Sequence, residues 1–378
     1  MLAFKNYRLR HYNFKMVLYI LVLSVIGILV ITSATMNSDT DTTSKQIMGV
    51  CVGVICMVIL SLIDYHWILK YYVLIYVATV GILAAVLIVG KDAGTNATRW
   101  IDLPALGRIQ PSEFAKIGSI LFFAKFFERN EEKINSPVTV FGSLALFAVP
   151  LYAIFAQPDL STSIVFGVIF LSMIYAAKIS YKWVFGTIAV VVPAVSVFLY
   201  LLLNGHYLFL RPFQANRILS FFGLAENTQD LLLQQINSRM AIGSGQLYGK
   251  GLFNTTLESV KNGNFLMEED TDFIFAIVGE EMGFVGSCTV IGLLTLVILE
   301  CIWLGARAKD LSGRLICTGM AALIAFQGFI NIGVASFMLP NTGLPLPFIS
   351  AGLSSLLSVF LGMGVVLNVG MQRKVELL

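Results

Sequence analysis

The chain has 378 residues, of which 57% are hydrophobic and only 12% are charged. Soluble globular proteins carry about 25% charged residues, so this composition excludes an ordinary soluble domain and indicates a polytopic membrane protein. The net charge of +3 gives no indication of a nucleic-acid partner.

Apolar runs long enough to cross a bilayer recur along the whole chain. Each transmembrane helix needs about 20 apolar residues, so the sequence predicts an all-α membrane protein with about ten spans in a single domain, residues 1–378. The predicted spans are 16–35, 46–63, 71–90, 112–128, 138–156, 160–177, 183–204, 273–305, 313–338 and 348–370, and the eighth is expected to be broken near its start. A large polar loop, 205–270, separates the seventh span from the eighth.

The distribution of lysine and arginine predicts the orientation of these spans. If the N-terminus is cytoplasmic, fifteen of the twenty-five basic residues fall in short loops on the cytoplasmic side, as the positive-inside rule requires. Both termini are then cytoplasmic. The extracellular loop 205–270 and the polar segments 91–111 and 339–350 face outside.

The segment 91–111 brings Arg99 beside Trp100 at a predicted membrane interface. An interfacial tryptophan with a snorkelling arginine explains this pair without any function. The functional interpretation is that the planar guanidinium of Arg99 binds a phosphate or an anionic head group.

The fourth span opens with QPSEFAK, in which Pro111 and Glu113 are typical of a helix start. Glu113 and Lys116 are three residues apart and can pair on one helix face. Lys116 lies a turn inside a spanning segment, where a charge is costly and by default functional. Both residues are therefore candidates for substrate binding.

The sixth span opens with a similar motif, QPDLSTS, at 157–163. Asp159 is either the N-cap of the helix or a site residue, and the sequence does not distinguish the two. Gln157 and Asp159 are both candidate substrate-binding residues.

The large loop contains one helical pattern and one glycine-rich run. Apolar residues after position 230 predict an amphipathic helix lying in the membrane interface; they are Leu232, Leu233, Ile236 and Met240. Glycines between 243 and 251 predict a flexible turn whose N–H groups approach a phosphate, although a glycine run alone is a weak signal. Arg217 and Lys250 are the cations of this loop that we expect to reach the substrate.

Six carboxylates crowd the stretch MEEDTDFIFAIVGEEMGF, residues 267–284. They either cap and solvate the end of a helix or take part in chemistry. Glu268 and Glu269 are expected to be solvated loop acids, whereas Asp272 lies where the loop enters the membrane. Glu280 and Glu281 cannot both face lipid, and a structural ion pair is as plausible for them as catalysis.

The stretch LPNTGLPLPFISAGLSS, residues 339–355, has three prolines and two glycines before the last span. Irregular backbone inside a membrane is tolerated only where it is buried in protein or lines a wet cavity. The pattern predicts a re-entrant or broken segment beside the site, and a plain tight connector is the alternative.

Taken together, the motifs TRWI, QPSEFAK, QPDLSTS, TDFIFAIVGEEMGF and NTGLPLPFISAGLSSLL resemble the family of shape, elongation, division and sporulation proteins, which includes RodA, FtsW and SpoVE. The resemblance covers about residues 10–373. It implies a bacterial plasma-membrane glycosyltransferase that polymerises lipid II into glycan strands on the outer face, without an organic cofactor. It also implies a partner, a single-span class B penicillin-binding protein, and the short N-terminal segment favours the RodA branch.

The resemblance also assigns residues. The essential acid of the family corresponds to Asp272, and five other motif positions line or support the same outer cavity: Arg99, Glu113, Lys116, Gln157 and Asp159. The acidic EED before TDF is unusual for the family, so a role for Asp270 stays open.

A reaction mechanism follows as a hypothesis. Attack by a sugar 4-hydroxyl on an anomeric carbon that carries a lipid pyrophosphate needs a base and positive charge for the leaving group. We expect Asp272 to be the base, and the candidate cations are Arg99, Lys116, Arg217 and Lys250. A divalent cation, Mg²⁺ or Mn²⁺, held by Asp272 or Asp270 is a further expectation.

Two other classes of function stay open. A lipid flippase or transporter would place ionisable residues near mid-membrane and show paired repeats. A non-catalytic scaffold for a penicillin-binding protein would need neither an acid at Asp272 nor a cation at Lys116. The concentration of charges at the outer helix ends favours the enzyme.

Overall fold

A computed structural model describes residues 11–36, 42–92, 98–103, 107–205, 212–224, 228–254, 266 and 270–372. Within these ranges the chain forms thirteen α-helices and a small antiparallel sheet with the strand order β1-β2-β3. The helices are α1 (Phe14–Ala34), α2 (Thr42–Ser61), α3 (Tyr65–Lys70), α4 (Tyr72–Val89), α5 (Pro111–Arg129), α6 (Pro137–Ala156), α7 (Leu160–Ala176), α8 (Tyr181–Leu203), α9 (Pro212–Phe221), α10 (Thr228–Ser244), α11 (Ile274–Ala306), α12 (Leu311–Ala335) and α13 (Leu353–Met371). The strands are β1 (Lys91–Asp92), β2 (Thr98–Leu103) and β3 (Gly107–Ile109).

Ten of the helices coincide with the ten predicted spans: α1, α2, α4 to α8, and α11 to α13. Seven of these are long and apolar enough to cross a membrane, and α4 and α7 are shorter apolar helices. The remaining one, α5, carries the charges of Glu113 and Lys116 in its first two turns. The predicted class, an all-α polytopic membrane protein, is confirmed.

Helices α12 and α13 form the centre of the bundle. The most apolar window of α13 is 78% buried, whereas that of α8 is only 6% buried. Helix α12 packs against α5, α7 and α11, and α13 packs against α2 and α5. Helix α8 therefore lies at the edge of the bundle, and the residues that reach the centre come from α5, α7, α11, α12 and α13.

The two polar segments between spans are more ordered than predicted. Residues 91–111, expected to be a loop, contain the hairpin formed by β2 and β3. Helix α10 forms where the apolar spacing predicts it. It packs against α9, α11 and α12 through a mixed face that includes the apolar Leu232 and Ala241 as well as polar side chains, and its place in the membrane interface stays a prediction. Gln235 and Ser238 are buried and donate hydrogen bonds to the carbonyl oxygens of Leu339 and Ala335, whereas Leu233 is exposed. These donors satisfy carbonyl groups at and beyond the end of α12, which have no partner within the helix.

A polar cluster ties α3, α12 and α13 together at the end of the bundle where α12 begins. The His66 ring lies between two carboxylates, with Nδ1 2.8 Å from Asp64 Oδ1 and Nε2 2.7 Å from Asp310 Oδ2. The hydrogen bond to Asp310 raises the pKa of His66 against the opposing effect of burial. Asn368 of α13 accepts a hydrogen bond from the backbone N–H of Tyr65, so the three elements are fixed to one another at this end.

Helix α11 is broken, as the sequence predicts, and the break lies at Gly283. Its φ of 66° is in the left-handed region that favours glycine. The freed backbone groups after the break find partners in the preceding loop, because Phe284 N donates to Gln246 O at 2.8 Å and Val285 N to Leu247 O at 3.1 Å. The loop thus takes over the hydrogen bonds that the helix gives up.

We expect Gly283→Ala to destabilise the protein by at least about 2 kcal/mol, because the backbone conformation is strained for any side chain. A Cβ at this position would also lie 2.3 Å from Gly249 N. The measurement is the melting temperature of the purified protein. The matched control is Gly292→Ala in the same helix, where a Cβ meets nothing within 4 Å and where alanine should be neutral or slightly stabilising. Equal melting temperatures for the two variants would contradict this account of the break.

Candidate functional site

Helices α5, α7, α11 and α13 all begin at one end of the bundle, which we call the site end. Gln110, directly before α5, donates its backbone N–H to Ser354 Oγ of α13 at 2.9 Å and its side-chain amide to Asp159 Oδ2 of α7 at 3.3 Å. Ser161 of α7 donates to Thr342 O at 2.5 Å, in the segment that lies beside the start of α11. The N-terminal end of a helix carries a partial positive charge, so the site end favours an anionic ligand.

The predicted acid, Asp272, lies at the entrance to α11 and is held there through its backbone. Three successive carbonyl oxygens each accept one hydrogen bond. Ala351 N donates to Asp270 O at 2.8 Å, Ser350 Oγ to Thr271 O at 2.7 Å, and Asn331 Nδ2 to Asp272 O at 2.9 Å. The irregular segment 341–351 thus lies against the acid, where the sequence predicts a broken segment beside the site.

Four charged side chains share this site. Burial lowers the pKa of Arg217 on α9, the charge of Arg99 adds to this effect, and the carboxylates of Asp272 and Asp159 act against it. Each of these groups is therefore close enough to influence the guanidinium of Arg217. The structure brings together four of the residues that the sequence singles out.

Arg99 and Asp159 are positioned by the turn between α6 and α7. Arg99, on β2, donates from Nη2 to Pro158 O at 2.6 Å, and its Nε lies 4.0 Å from Asp159 Oδ2. Gln214 of α9 donates to the same carbonyl oxygen at 3.0 Å. Asp159 also caps α7 by accepting a hydrogen bond from Thr162 N at 3.1 Å. The two interpretations of Asp159, cap and site residue, are thus compatible.

The remaining candidates on the spans lie deeper or turn away. Lys116 Nζ is 2.7 Å from Glu113 Oε1, and the two side chains are only 1% and 2% exposed, so the predicted pair forms and is buried one turn inside α5. Glu113 Oε2 has no hydrogen-bond partner among the described protein atoms. Gln157 donates to Leu83 O of α4 at 2.9 Å, which makes it a link between helices.

Lys250 forms an ion pair at the break in α11. Its Nζ lies 2.8 Å from Glu280 Oε1, and the Glu280 side chain is fully buried. The backbone N–H groups of Lys250 and Gly251 donate to Glu280 O and Glu281 O, so the prediction that this turn offers them to a phosphate is wrong. Glu281 Oε1 accepts a hydrogen bond from Ser33 Oγ at 2.5 Å. Both glutamates therefore have structural contacts.

Three acids, Glu268, Glu269 and Asp270, precede Asp272 in the sequence. Glu268 and Glu269 lie outside the described residues. Burial raises the pKa of Asp270. Among the described residues no group of three or more His, Cys, Asp or Glu side chains is arranged to hold a metal ion.

Sequence reasoning missed four residues of the site: Gln110, Gln214, Asn331 and Ser350. Each donates a hydrogen bond from a neutral side chain to a carbonyl or carboxylate oxygen of another segment. Asn331 carried the one usable signal, because it is a polar side chain inside an apolar span.

Comparisons with known proteins place the chain in one family. The family profile described as "Cell cycle protein", which covers FtsW, RodA and SpoVE, matches residues 14–375. The chain is 32% identical to the peptidoglycan glycosyltransferase MrdB of Escherichia coli (strain K12) over 364 residues, covering 96% of this chain and 95% of that protein. It is 33% identical to stage V sporulation protein E of Bacillus subtilis, covering 94% and 95% of the two chains. The probable peptidoglycan glycosyltransferase FtsW of Geobacter metallireducens is 32% identical, with coverage of 87% and 85%.

Solved structures share the fold. One, described as the structural coordination of polymerization and crosslinking by a peptidoglycan synthase complex, matches with a TM-score of 0.78 and 25% identity over 95% of this chain and 97% of that chain. The rod shape determining protein RodA of Thermus thermophilus matches with a TM-score of 0.69 and 24% identity, covering 97% and 98%. Since the relatives carry the names of several branches, the preference for RodA stays a prediction.

We expect Lys250→Met to destabilise the protein by about 3 kcal/mol, because removing one partner of a buried ion pair leaves a charge without compensation. The melting temperature should fall by about 5 °C. The double variant Lys250→Met/Glu280→Gln should recover part of this loss, and Lys182→Met, at an exposed lysine of α8, should have almost no effect. A double variant no more stable than Lys250→Met would argue against the pair as the cause.

Proposed function

The chain belongs to the FtsW, RodA and SpoVE family of cell cycle proteins, and we propose that it is a peptidoglycan glycosyltransferase with Asp272 as its general base. The observation that carries the assignment of the base is the common site of Asp272 with Arg217, Arg99 and Asp159. A carboxylate within electrostatic range of the Arg217 guanidinium, in a site that also holds Arg99, is suited to a reaction that moves a proton next to an anionic leaving group.

The proposed reaction joins two sugars and releases a lipid pyrophosphate. The 4-hydroxyl of one lipid-linked disaccharide attacks the anomeric carbon of another, and its proton passes to Asp272. The bond from that carbon to the pyrophosphate oxygen breaks, and the electron pair leaves with the pyrophosphate. Arg99 and Arg217 stabilise the negative charge that develops there, as guanidinium groups bind phosphate oxygens in pairs.

Two other features of the site end support this chemistry. The N-terminal ends of α5, α7 and α11 add partial positive charge without any titratable group. The buried pair of Lys116 and Glu113 places a cation one turn inside α5. We propose that Lys116 acts on the same substrate, with Glu113 holding its ammonium group in place.

We propose that the site end faces outside. The opposite end of the bundle, which we call the far end, carries basic residues of the short loops, among them Lys70, Lys133 and Lys178. The positive-inside rule puts such loops in the cytoplasm. This orientation would bring Asp272 to the outer leaflet. Lipid II, the lipid-linked disaccharide of peptidoglycan synthesis, would meet the site there.

We also propose a partner. One solved structure, whose match covers 95% of this chain with a TM-score of 0.78, is described as a peptidoglycan synthase complex that coordinates polymerization and crosslinking. A single-span class B penicillin-binding protein would supply the crosslinking activity.

A divalent cation is part of the proposal as well. Mg²⁺ is usually held by one or two carboxylates together with substrate phosphates, and Asp272 is the carboxylate that would hold it together with the substrate pyrophosphate. Asp270 is the second candidate, although burial favours its protonated form. The cation would neutralise charge on the pyrophosphate.

Two alternatives have distinct outcomes. A flippase would move lipid II between leaflets of reconstituted vesicles and form no polymer even with the partner present. A scaffold would support the partner's activity with Asp272 replaced. The charged residues grouped with Asp272 lie on segments between the spans (Arg99 on β2, Arg217 on α9) and at the start of α7 (Asp159), which favours the enzyme over a transporter.

We expect Asp272→Asn and Asp272→Ala to lower the rate of lipid II polymerisation by at least about 100-fold, because general base catalysis contributes this much or more. The measurement is the length distribution and yield of glycan strands from purified protein. Glu132→Gln, at an exposed acid of the far end, is the control and should behave as the wild type. Glycan strands of wild-type length and yield from either Asp272 variant would sink the assignment.

Chelation tests the cation. We expect EDTA to abolish most of the polymerisation and added MgCl₂ or MnCl₂ to restore it, since the ion neutralises the pyrophosphate charge. The wild-type protein is assayed with lipid II at constant ionic strength, so that simple screening does not change between samples. A rate that EDTA leaves unchanged would remove the cation from the mechanism.

A further inference from the structure

Asn331 of α12 is a buried amide that bridges the two irregular segments of the site. Its side chain is 1% exposed. Its Nδ2 donates to Asp272 O at 2.9 Å and to Leu344 O at 2.8 Å. One residue of the central helix therefore touches both the segment that carries the proposed base and the segment packed against it.

The orientation of this amide is fixed by its neighbours. Both acceptors are carbonyl oxygens, so only the NH₂ end of Asn331 can face them. Its Oδ1 is buried and has no hydrogen-bond partner among the described protein atoms. A buried oxygen without a partner costs about 1–3 kcal/mol, which offsets much of what the two hydrogen bonds contribute. The main effect of Asn331 is therefore on the relative position of the two segments that it binds.

That geometry bears directly on the carboxylate of Asp272. Gly343, next to Leu344, has a φ of 71°, and a Cβ built on it would lie 3.2 Å from Asp272 Oδ2. The carboxylate thus lies close against the backbone of the 341–351 segment. The Nδ2 atom of Asn331 binds both that segment and the main chain of Asp272. It therefore sets the separation between the Asp272 carboxylate and the backbone of the 341–351 segment.

The other two contacts to this stretch do not fix the acid itself. Ala351 N binds Asp270 O, and Ser350 Oγ binds Thr271 O. Both donors belong to the 341–351 segment, which has no regular secondary structure of its own. Asn331 alone of the three donors stands on a long, buried helix, and a residue on a helix is positioned more accurately than one on a loop.

We propose that Asn331 is a positioning residue for Asp272, acting through the main-chain carbonyl of Asp272 and not through its carboxylate. The proposal rests on the role of Asp272 as base given above. Asn331 does not touch the reacting atoms, and its effect is to keep the base at hydrogen-bonding distance from the attacking hydroxyl. Since a displacement of about 1 Å can cost about 100-fold in rate, loss of the amide should lower turnover strongly without removing any charge that binds substrate.

The first variant is Asn331→Leu, which keeps the size of the side chain and removes its donor. We expect kcat to fall about 10- to 100-fold, while KM for lipid II changes by less than about threefold, because the cations that bind the pyrophosphate are unchanged. Initial rates of polymerisation by the full-length protein over a range of lipid II concentrations give both constants, and the melting temperature reports folding.

The second variant, Asn331→Asp, adds a readout that a merely structural residue would not move. When protonated, the introduced carboxyl donates its O–H to one of the two carbonyl oxygens. When ionised, it has no donor and repels both. The activity of Asn331→Asp relative to the wild type should therefore fall as the pH rises and the introduced carboxyl loses its proton.

The chain offers a matched control in Gln235. It is also a buried amide whose Nε2 donates to two carbonyl oxygens, those of Val334 and Leu339, at 3.2 and 2.8 Å. Gln235→Leu removes an equivalent pair of hydrogen bonds from the same region without touching Asp272. We expect it to lower the melting temperature about as much as Asn331→Leu does and to leave kcat near the wild-type value.

The outcomes separate this proposal from the one on which it rests. If Asp272→Asn is inactive while Asn331→Leu has wild-type kcat, positioning by Asn331 is wrong and the base stands. If Asp272→Asn is active, the base assignment itself fails. A loss of folding in both Asn331 variants, equal losses of kcat in Gln235→Leu and Asn331→Leu, or a ratio of Asn331→Asp to wild-type activity that does not change with pH would each overturn the positioning role.

Discussion

Irregular backbone inside a bundle of membrane helices must find its hydrogen-bond partners within the protein, because hydrocarbon offers none. Two such segments lie at the site end, residues 270–273 and 341–351, and they satisfy each other. The N–H of Ala351 and the hydroxyl of Ser350 are donors, and the carbonyls of Asp270 and Thr271 are their acceptors. The location of Asp272 therefore follows from the hydrogen bonds that these two segments of backbone must find in each other.

The same constraint acts ten residues further on, where α11 breaks at Gly283. Backbone groups on both sides of the break pair with residues 246–251 of the preceding loop, and Lys250 adds an ion pair to the buried Glu280. The first part of α11 is thus held at its start by the 341–351 segment and at its end by this loop. A short helix fixed at both ends is a rigid carrier for the residue at its entrance. The loop between the seventh and eighth spans thereby contributes to the site from a distance.

The elements that depend on composition could be predicted, and those that depend on pairing across the chain could not. Runs of about 20 apolar residues locate the ten long helices because each must match the bilayer. The break in α11 could be anticipated because the predicted span 273–305 is longer than a bilayer requires. By contrast, Lys250 meets Glu280 across 30 positions and Gln235 meets Leu339 across 104. Nothing local in the sequence marks such partners, and a glycine-rich loop that looks suited to phosphate uses its N–H groups on its own protein.

The polar atoms left without partners give a further indication of what the site end is suited to bind. Among the described residues, Arg99 Nε, Ser112 Oγ, Glu113 Oε2, Asn341 Oδ1 and Thr342 Oγ1 are buried without a hydrogen bond from the protein, and all belong to elements that meet at this end. Leaving such an atom without a partner lowers the free energy of unfolding by about 1–3 kcal/mol. This is a large fraction of the total for a protein stable by only about 5–15 kcal/mol. The set contains donors and acceptors, so a purely anionic ligand would satisfy only part of it. Pyrophosphate oxygens accept hydrogen bonds, whereas sugar hydroxyls both donate and accept. Sugar hydroxyls therefore suit the acceptors of this set as well as its donors, which phosphate oxygens alone do not, and a pyrophosphate adds the negative charge that suits Arg99. The proposed substrate carries both groups.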